Sequence, residues 1–220
     1  MGPIPLILTG AFTLATCVWY IAYVRYRIDR ESAFVYLVQR VVSKRIGERG
    51  LEEELKQIAL ERDEVELDRF DRLVKQCPIL DIRGPISGEE MLRRAAAVLA
   101  PRLGLEEQKL YEMLLAREQE SSTVLKPGLA IPHVVVDGEK LFDILLVRCK
   151  EGIVFSELNP PVTTAFVLLG SQDERNFHLK ALMAIAHIVE EPDFEQRWLR
   201  AKNIEQLRDI VLLSSRKRQK

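Results

Sequence analysis

Gly128-Leu129-Ala130-Ile131-Pro132-His133 is the stretch on which the reading of this chain turns. Proline fixes its own φ at about −65°. It also keeps the residue before it out of the helical region. Ile131 is therefore extended, and the backbone that arrives at His133 is stiff. An apolar, extended run that ends in an imidazole reads as a strand holding a reactive side chain at its tip in one direction.

The surroundings of this stretch alternate between strands and helices. Residues 79–83 read as a short extended run, and 144–149 and 162–169 are β-branched or apolar runs bounded by turn residues, the pattern of buried strands. Ser87-Gly88-Glu89-Glu90 predicts a capping box, followed by a helix whose Met91, Leu92, Ala95, Val98 and Leu99 share one face. A second helix is predicted over 105–118, ending near Arg117. Ser171-Gln172-Asp173-Glu174 predicts another capping box and a helix through Phe177, Ala181, Ile185 and Ile188. Pro192 interrupts, and helices are expected over 193–201 and 203–213. Residues 215–220, with Arg216, Lys217, Arg218 and Lys220, form a basic tail expected to fray. The fold class is α/β, a mixed β-sheet flanked by helices, with its domain over residues 77–214.

The N-terminal part is of a different kind. Residues 1–24 contain no Asp, Glu, Lys or Arg. Residues 4–24 are long enough to cross a bilayer core, which takes about 20 apolar residues. Trp19, Tyr20 and Tyr23 stand where an interfacial aromatic belt would lie, and Arg25, Arg27 and Arg30 follow. Positive charge favours the cytoplasmic side, so residues 1–28 are predicted to be a single-pass transmembrane helix with the C-terminal domain in the cytoplasm. A cleaved signal peptide would need a basic region before the apolar core, and none is present. A helical linker is predicted over 29–76. Phe34, Leu37, Val38, Val41, Val42 and Ile46 share one helical face, and residues 25–50 hold seven basic and three acidic residues. Such a face suits anionic lipid or packs on protein; periodicity alone leaves both open. Its second half, 51–76, holds nine acidic and five basic residues and reads as a solvated helix bracing the domain.

Composition excludes several classes. With 32 basic and 33 acidic residues the net charge is −1, which gives no pull toward nucleic acid. Cys17, Cys77 and Cys149 include no close pair, which excludes a disulfide framework and a CxxC metal or redox motif. No metal-ligand spacing occurs, and no cofactor is called for.

The chain has three histidines, His133, His178 and His187. The last two are nine residues apart on one predicted helix, roughly 900° at about 100° per residue, so they face opposite ways. Only one of them can join His133, and Arg117 is a candidate charge partner. Neutral imidazole is a good nucleophile near pH 7.

Arg117-Glu118, then Ser122-Thr123, then Gly128-Leu129-Ala130-Ile131-Pro132-His133, resembles the active-site signature of a type-2 IIA component of the bacterial phosphoenolpyruvate:sugar phosphotransferase system. This is the fructose/mannitol and nitrogen-regulatory class. The likeness continues through His178-Leu179-Lys180-Ala181-Leu182 and covers roughly 75–213. It implies a type-2 IIA-like sandwich in which His133 carries a phosphoryl group, flanked by Arg117 and His178, with Ser122 and Thr123 as further phosphate-binding donors. The family usually has glycine where this chain has Val124, Lys126 and Val134, and these side chains are expected to obstruct a docking partner. Residues 1–48 resemble, more loosely, the last transmembrane helix and cytoplasmic exit of an amino-acid permease of the amino acid–polyamine–organocation superfamily. Two functions follow from these resemblances. One is regulation of an amino-acid or related transporter through the membrane domain. The other is relay of phosphate from the histidine phosphocarrier protein to a sugar permease.

Overall fold

In a computed structural model of the chain, the two long β-branched runs become the central strands of one mixed sheet. The structure describes residues 67–156, 160–216 and 218, with Thr13 and Thr16. Apart from Thr13 and Thr16, the predicted membrane span, the basic amphipathic helix and the linker as far as residue 66 lie outside the described residues. Among the described residues no helix is long and apolar enough to cross a membrane. Residues 66–220 form one unit.

The chain runs α1 (Arg69–Gln76), β1 (Ile79–Ile82), β2 (Ile86–Ser87), α2 (Gly88–Leu103), α3 (Glu107–Glu120), β3 (Val124–Lys126), β4 (Gly128–Ala130), β5 (His133–Val136), β6 (Phe142–Val154) and β7 (Val162–Ser171). A 3-10 turn (Gln172–Glu174) leads to α4 (Arg175–Val189), α5 (Phe194–Arg200) and α6 (Ile204–Leu212). The sheet order is β1-β6-β7-β4-β3, with β2 extending the β1 side of β6 and β5 pairing with β7. β6 and β7 are antiparallel, whereas β1 and β2 run parallel to β6 and β4 and β5 parallel to β7. β4 and β5 line the same strand in succession, pairing with Val162–Ala165 and then with Leu168–Ser171. Proline lacks the N–H a strand needs, and the break between them falls at Ile131-Pro132.

Alternation along the strands divides the apolar side chains into two cores. Ile144, Leu146, Phe166 and Leu168 pack with α1, α4, α5 and α6, where Phe70, Ile185, Trp198 and Val211 are buried. Leu145, Val147, Val167 and Leu169 pack with α2 and α3, against Met91, Leu99, Leu110 and Leu114. Both faces are covered, which is why β6 and β7 read as continuous apolar runs.

Three local expectations change. Ser87 caps α2 by accepting from the Glu90 N–H, but the Glu90 carboxylate turns to Arg94 instead of back to the cap. Ser171 makes no capping bond. Its hydroxyl donates to Asp173, whose other oxygen accepts from the Lys140 N–H at 2.8 Å, so the residues after β7 are tied to the β5–β6 turn. α1, assigned to the linker by its charge, brings Phe70 and Val74 into the core, and its Asp71 is fully buried.

The basic tail is corrected in the same place. Arg216 is buried and grips Asp68 with two hydrogen bonds of 2.7 Å and Asp71 with one of 2.8 Å. Arg218 donates to Asp71 and to the Leu212 carbonyl. These arginines stay with the fold because Asp71, buried in α1, needs a counter-charge.

Candidate active site

The imidazole of His133 is aimed by two constraints. Val134 and Val136 of β5 enter the core under α2 and α3, so His133 leaves the opposite face, toward α4. Its Nδ1 then lies 2.9 Å from the Ile131 carbonyl oxygen. A carbonyl only accepts, so Nδ1 carries the proton and Nε2 keeps the lone pair. Pro132, which stiffens this turn, also places its own carbonyl to accept from the Leu168 N–H.

Arg117 comes from the last turn of α3. Its Nη1 donates to the Ser121 carbonyl at 3.1 Å, and its Nη2 is 3.4 Å from His133 Nε2. His178 closes α4's first turn, with its ring centroid 5.5 Å from that of His133 and tilted by 57°. Phe142 sets an edge against it at 5.9 Å. Gly170 makes room for this packing, since a Cβ there would fall 2.9 Å from the Phe142 ring. Burial, and secondarily the neighbouring His133, push the His178 pKa below its ordinary value. His178 is therefore a neutral hydrogen-bonding group at pH 7, and among the described residues it has no hydrogen-bond partner. His187 is exposed on another side of α4, as its spacing required.

Arg117, His133 and His178 thus meet, although 61 residues separate the first from the last. Ser122 and Thr123 are committed differently. Both hydroxyls donate to the carboxylate of Glu118, which also accepts the Thr123 N–H at 2.9 Å. Glu118 carries no role in the sequence reading beyond its place in the motif. The signal for it was a carboxylate in the last turn of a helix, against the dipole, followed within five residues by Ser-Thr.

The three residues expected to obstruct docking are also placed. Val134 is buried in the core and Val124 packs on the same core. Val134 therefore points to the face of β5 opposite His133. Lys126 is exposed, and its Nζ donates to the Val189 carbonyl at the end of α4, 3.1 Å away. Among the described residues, burial pushes the Cys77 thiol up to about 12 and raises that of Cys149, so neither is poised as a thiolate. Among the described residues no group of three or more His, Cys, Asp or Glu is placed to hold a metal ion.

Comparison with known proteins bears on this arrangement. Residues 85–213 match the family described as Phosphoenolpyruvate-dependent sugar phosphotransferase system, EIIA 2. A nitrogen regulatory protein of Bradyrhizobium diazoefficiens is 30% identical over 129 residues, 58% of this chain and 84% of that protein. The crystal structure of the nitrogen regulatory protein IIA-Ntr from Neisseria meningitidis superimposes with a TM-score of 0.57 at 25% identity, over 64% of this chain and 97% of that one. The Escherichia coli mannitol IIA enzyme, solved in complex with phosphorylated mannitol IIB, shares the fold at 15% identity and a TM-score of 0.51, over 66% of this chain and 96% of that one. With more than half of its length matched, and with the mixed sheet and its helices found in these IIA structures, this chain belongs to the type-2 EIIA family of the phosphotransferase system and is related to the nitrogen-regulatory IIA proteins.

Proposed function

We propose that His133 accepts a phosphoryl group on Nε2 and that its phosphorylation state regulates a transporter in the membrane to which residues 4–24 tether the domain. The observation that carries this reading is the Nε2 lone pair, freed by the Nδ1–Ile131 bond and faced by Arg117. The lone pair attacks phosphorus in line, the P–N bond to the donor's histidine breaks, and the bonding electrons stay with the donor nitrogen. His133 keeps its proton on Nδ1. Arg117 swings from Nε2 to the phosphoryl oxygens, where its fork fits two of them. Neutral His178 donates one further hydrogen bond.

The regulatory role rests on the likeness to nitrogen regulatory proteins and on the apolar N-terminus. The transporter is an amino-acid or related carrier, and the domain is cytoplasmic. A second reading, relay onward to a sugar permease, gains from the burial of Val134 and the partial burial of Val124, while Lys126 is the exposed substituted side chain.

The test is transfer of labelled phosphate from phosphoenolpyruvate through the general phosphotransferase proteins to the full chain. Acid-labile label that disappears in His133→Ala supports the acceptor role. No label on wild type removes it. Rapid onward transfer to a sugar permease replaces regulation with relay.

A further inference from the structure

We propose that Glu118 is a positioning residue for His133: by holding residues 121–124 it fixes which ring nitrogen of His133 keeps the lone pair, and where that nitrogen points. The inference rests on reading His133 as the phosphoryl acceptor.

A continuous path of hydrogen bonds carries it. The Glu118 carboxylate accepts the Ser122 hydroxyl at 3.1 Å, the Thr123 N–H at 2.9 Å and the Thr123 hydroxyl. Thr123, so held, is buried, and its carbonyl accepts the Ile131 N–H at 2.9 Å. The Ile131 carbonyl in turn accepts from His133 Nδ1 at 2.9 Å. Each step fixes the next, and the last sets the tautomer. Arg117, the preceding residue, bonds the Ser121 carbonyl with one nitrogen and meets Nε2 with the other. Two successive residues of α3 therefore govern the two nitrogens of one ring, Arg117 directly and Glu118 through Thr123 and Ile131.

Helix energetics point the same way. A carboxylate in the last helical turn opposes the dipole, and helices favour the opposite sign there. Three bonds to the following loop offset that cost. A loop that merely needed closing would be served by a neutral cap; a charged acceptor makes stronger bonds and holds the loop in one geometry.

The experiment uses the full chain with 15N-labelled histidine. Nitrogen chemical shifts of His133 report the tautomer, and single-turnover labelling reports transfer. Wild type is expected to show one tautomer, with the proton on Nδ1. Glu118→Ala is expected to mix the tautomers and to slow the transfer step by roughly 10²-fold, the scale of a misplaced reacting group, with the donor KM within about twofold. Glu118→Gln keeps one acceptor for the Thr123 N–H, so a loss of about 10-fold and partial mixing are expected. If the alanine variant does not fold, the glutamine variant decides. A folded Glu118 variant with wild-type tautomer overturns the inference, whether or not its rate falls, and so does a mixed tautomer with wild-type rate. If wild type takes no phosphoryl group, the acceptor reading falls, while the tautomer shifts still decide what Glu118 does.

Discussion

Nη2 of Arg117 stands 3.4 Å from Nε2 of His133, the ring nitrogen that retains its lone pair because Nδ1–H is bonded to the Ile131 carbonyl. The resting site thus holds a donor cation against its own nucleophile. The same guanidinium is anchored through Nη1 to Ser121, so it can turn to a new oxygen without losing its footing.

That anchoring makes Arg117 hard to replace. Arg117→Lys keeps the charge but lacks the fork that reaches Ser121 and Nε2 together. We expect Arg117→Ala to slow labelling of His133 by ~10²-fold, and Arg117→Lys to recover only a small part of it. Rapid-quench labelling measures both; equal rates for lysine and arginine would mean that only charge matters.

His178 ties stability to pH. Its pKa is lowered by burial and then by His133, so the folded state resists protonation. Its contribution is complete above the unfolded value of about 6.5 and declines as pH falls from there toward the lowered folded value. Denaturant midpoints across pH 5 to 8 should fall on the acid side for wild type and flatten in that window for His178→Gln.

Val134→Gly is predicted to damage the fold and to do nothing for docking. Val134 is 6% exposed and belongs to the core beneath α2 and α3. Losing its side chain and adding backbone freedom should cost roughly 2–4 kcal/mol, read by urea denaturation. Lys126→Gly leaves that core intact and is the informative change. Faster labelling in Lys126→Gly would identify this side chain as the obstacle to the donor.

The arginine clasp gives a fourth test. Arg216→Met leaves buried Asp71 with Arg218 as its remaining cationic partner. Removing one member of a buried ion pair typically costs roughly 3–5 kcal/mol. The expected loss is smaller, about half of that, because Arg218 still covers the carboxylate. Asp71→Asn should offset part of it in the double variant, as a double-mutant cycle would reveal.

The membrane expectation is tested apart from the site. Deleting residues 1–28 should release the chain from membranes on fractionation while leaving His133 labelling at its wild-type rate. A deletion variant that still sediments with membranes would locate the attachment elsewhere.

Much of the fold was legible in the residues themselves. The β-branched runs announced β6 and β7, Ser87 announced α2, and Pro192 separated α4 from α5. The convergence of Arg117, His133 and His178 was legible through the family motif, not through spacing, since it depends on which strands lie side by side. Parity on β5 was not readable: His133-Val134-Val135-Val136 gives three like residues in a row, and only the fold shows Val134 inside and Val135 outside. Arg216 misled because a charge run at the end of a sequence looks solvated, and its partners lie nearly 150 residues away. Glu118 was hidden because its bonds are local but their effect on His133 passes through Ile131, in the break between β4 and β5.

The clasp has one more consequence. Asp68 and Arg216, 148 positions apart, touch at 2.7 Å, so the two ends of the described fold share one seam. A circular permutant joined across that seam and opened at the exposed turn of residues 137–140 keeps every strand partner it had. An anchor could then be grafted at that turn, beside β5, instead of ahead of α1. The point at which any further segment is attached is a property of the chain order, and the strand pairing that holds His133 is indifferent to it.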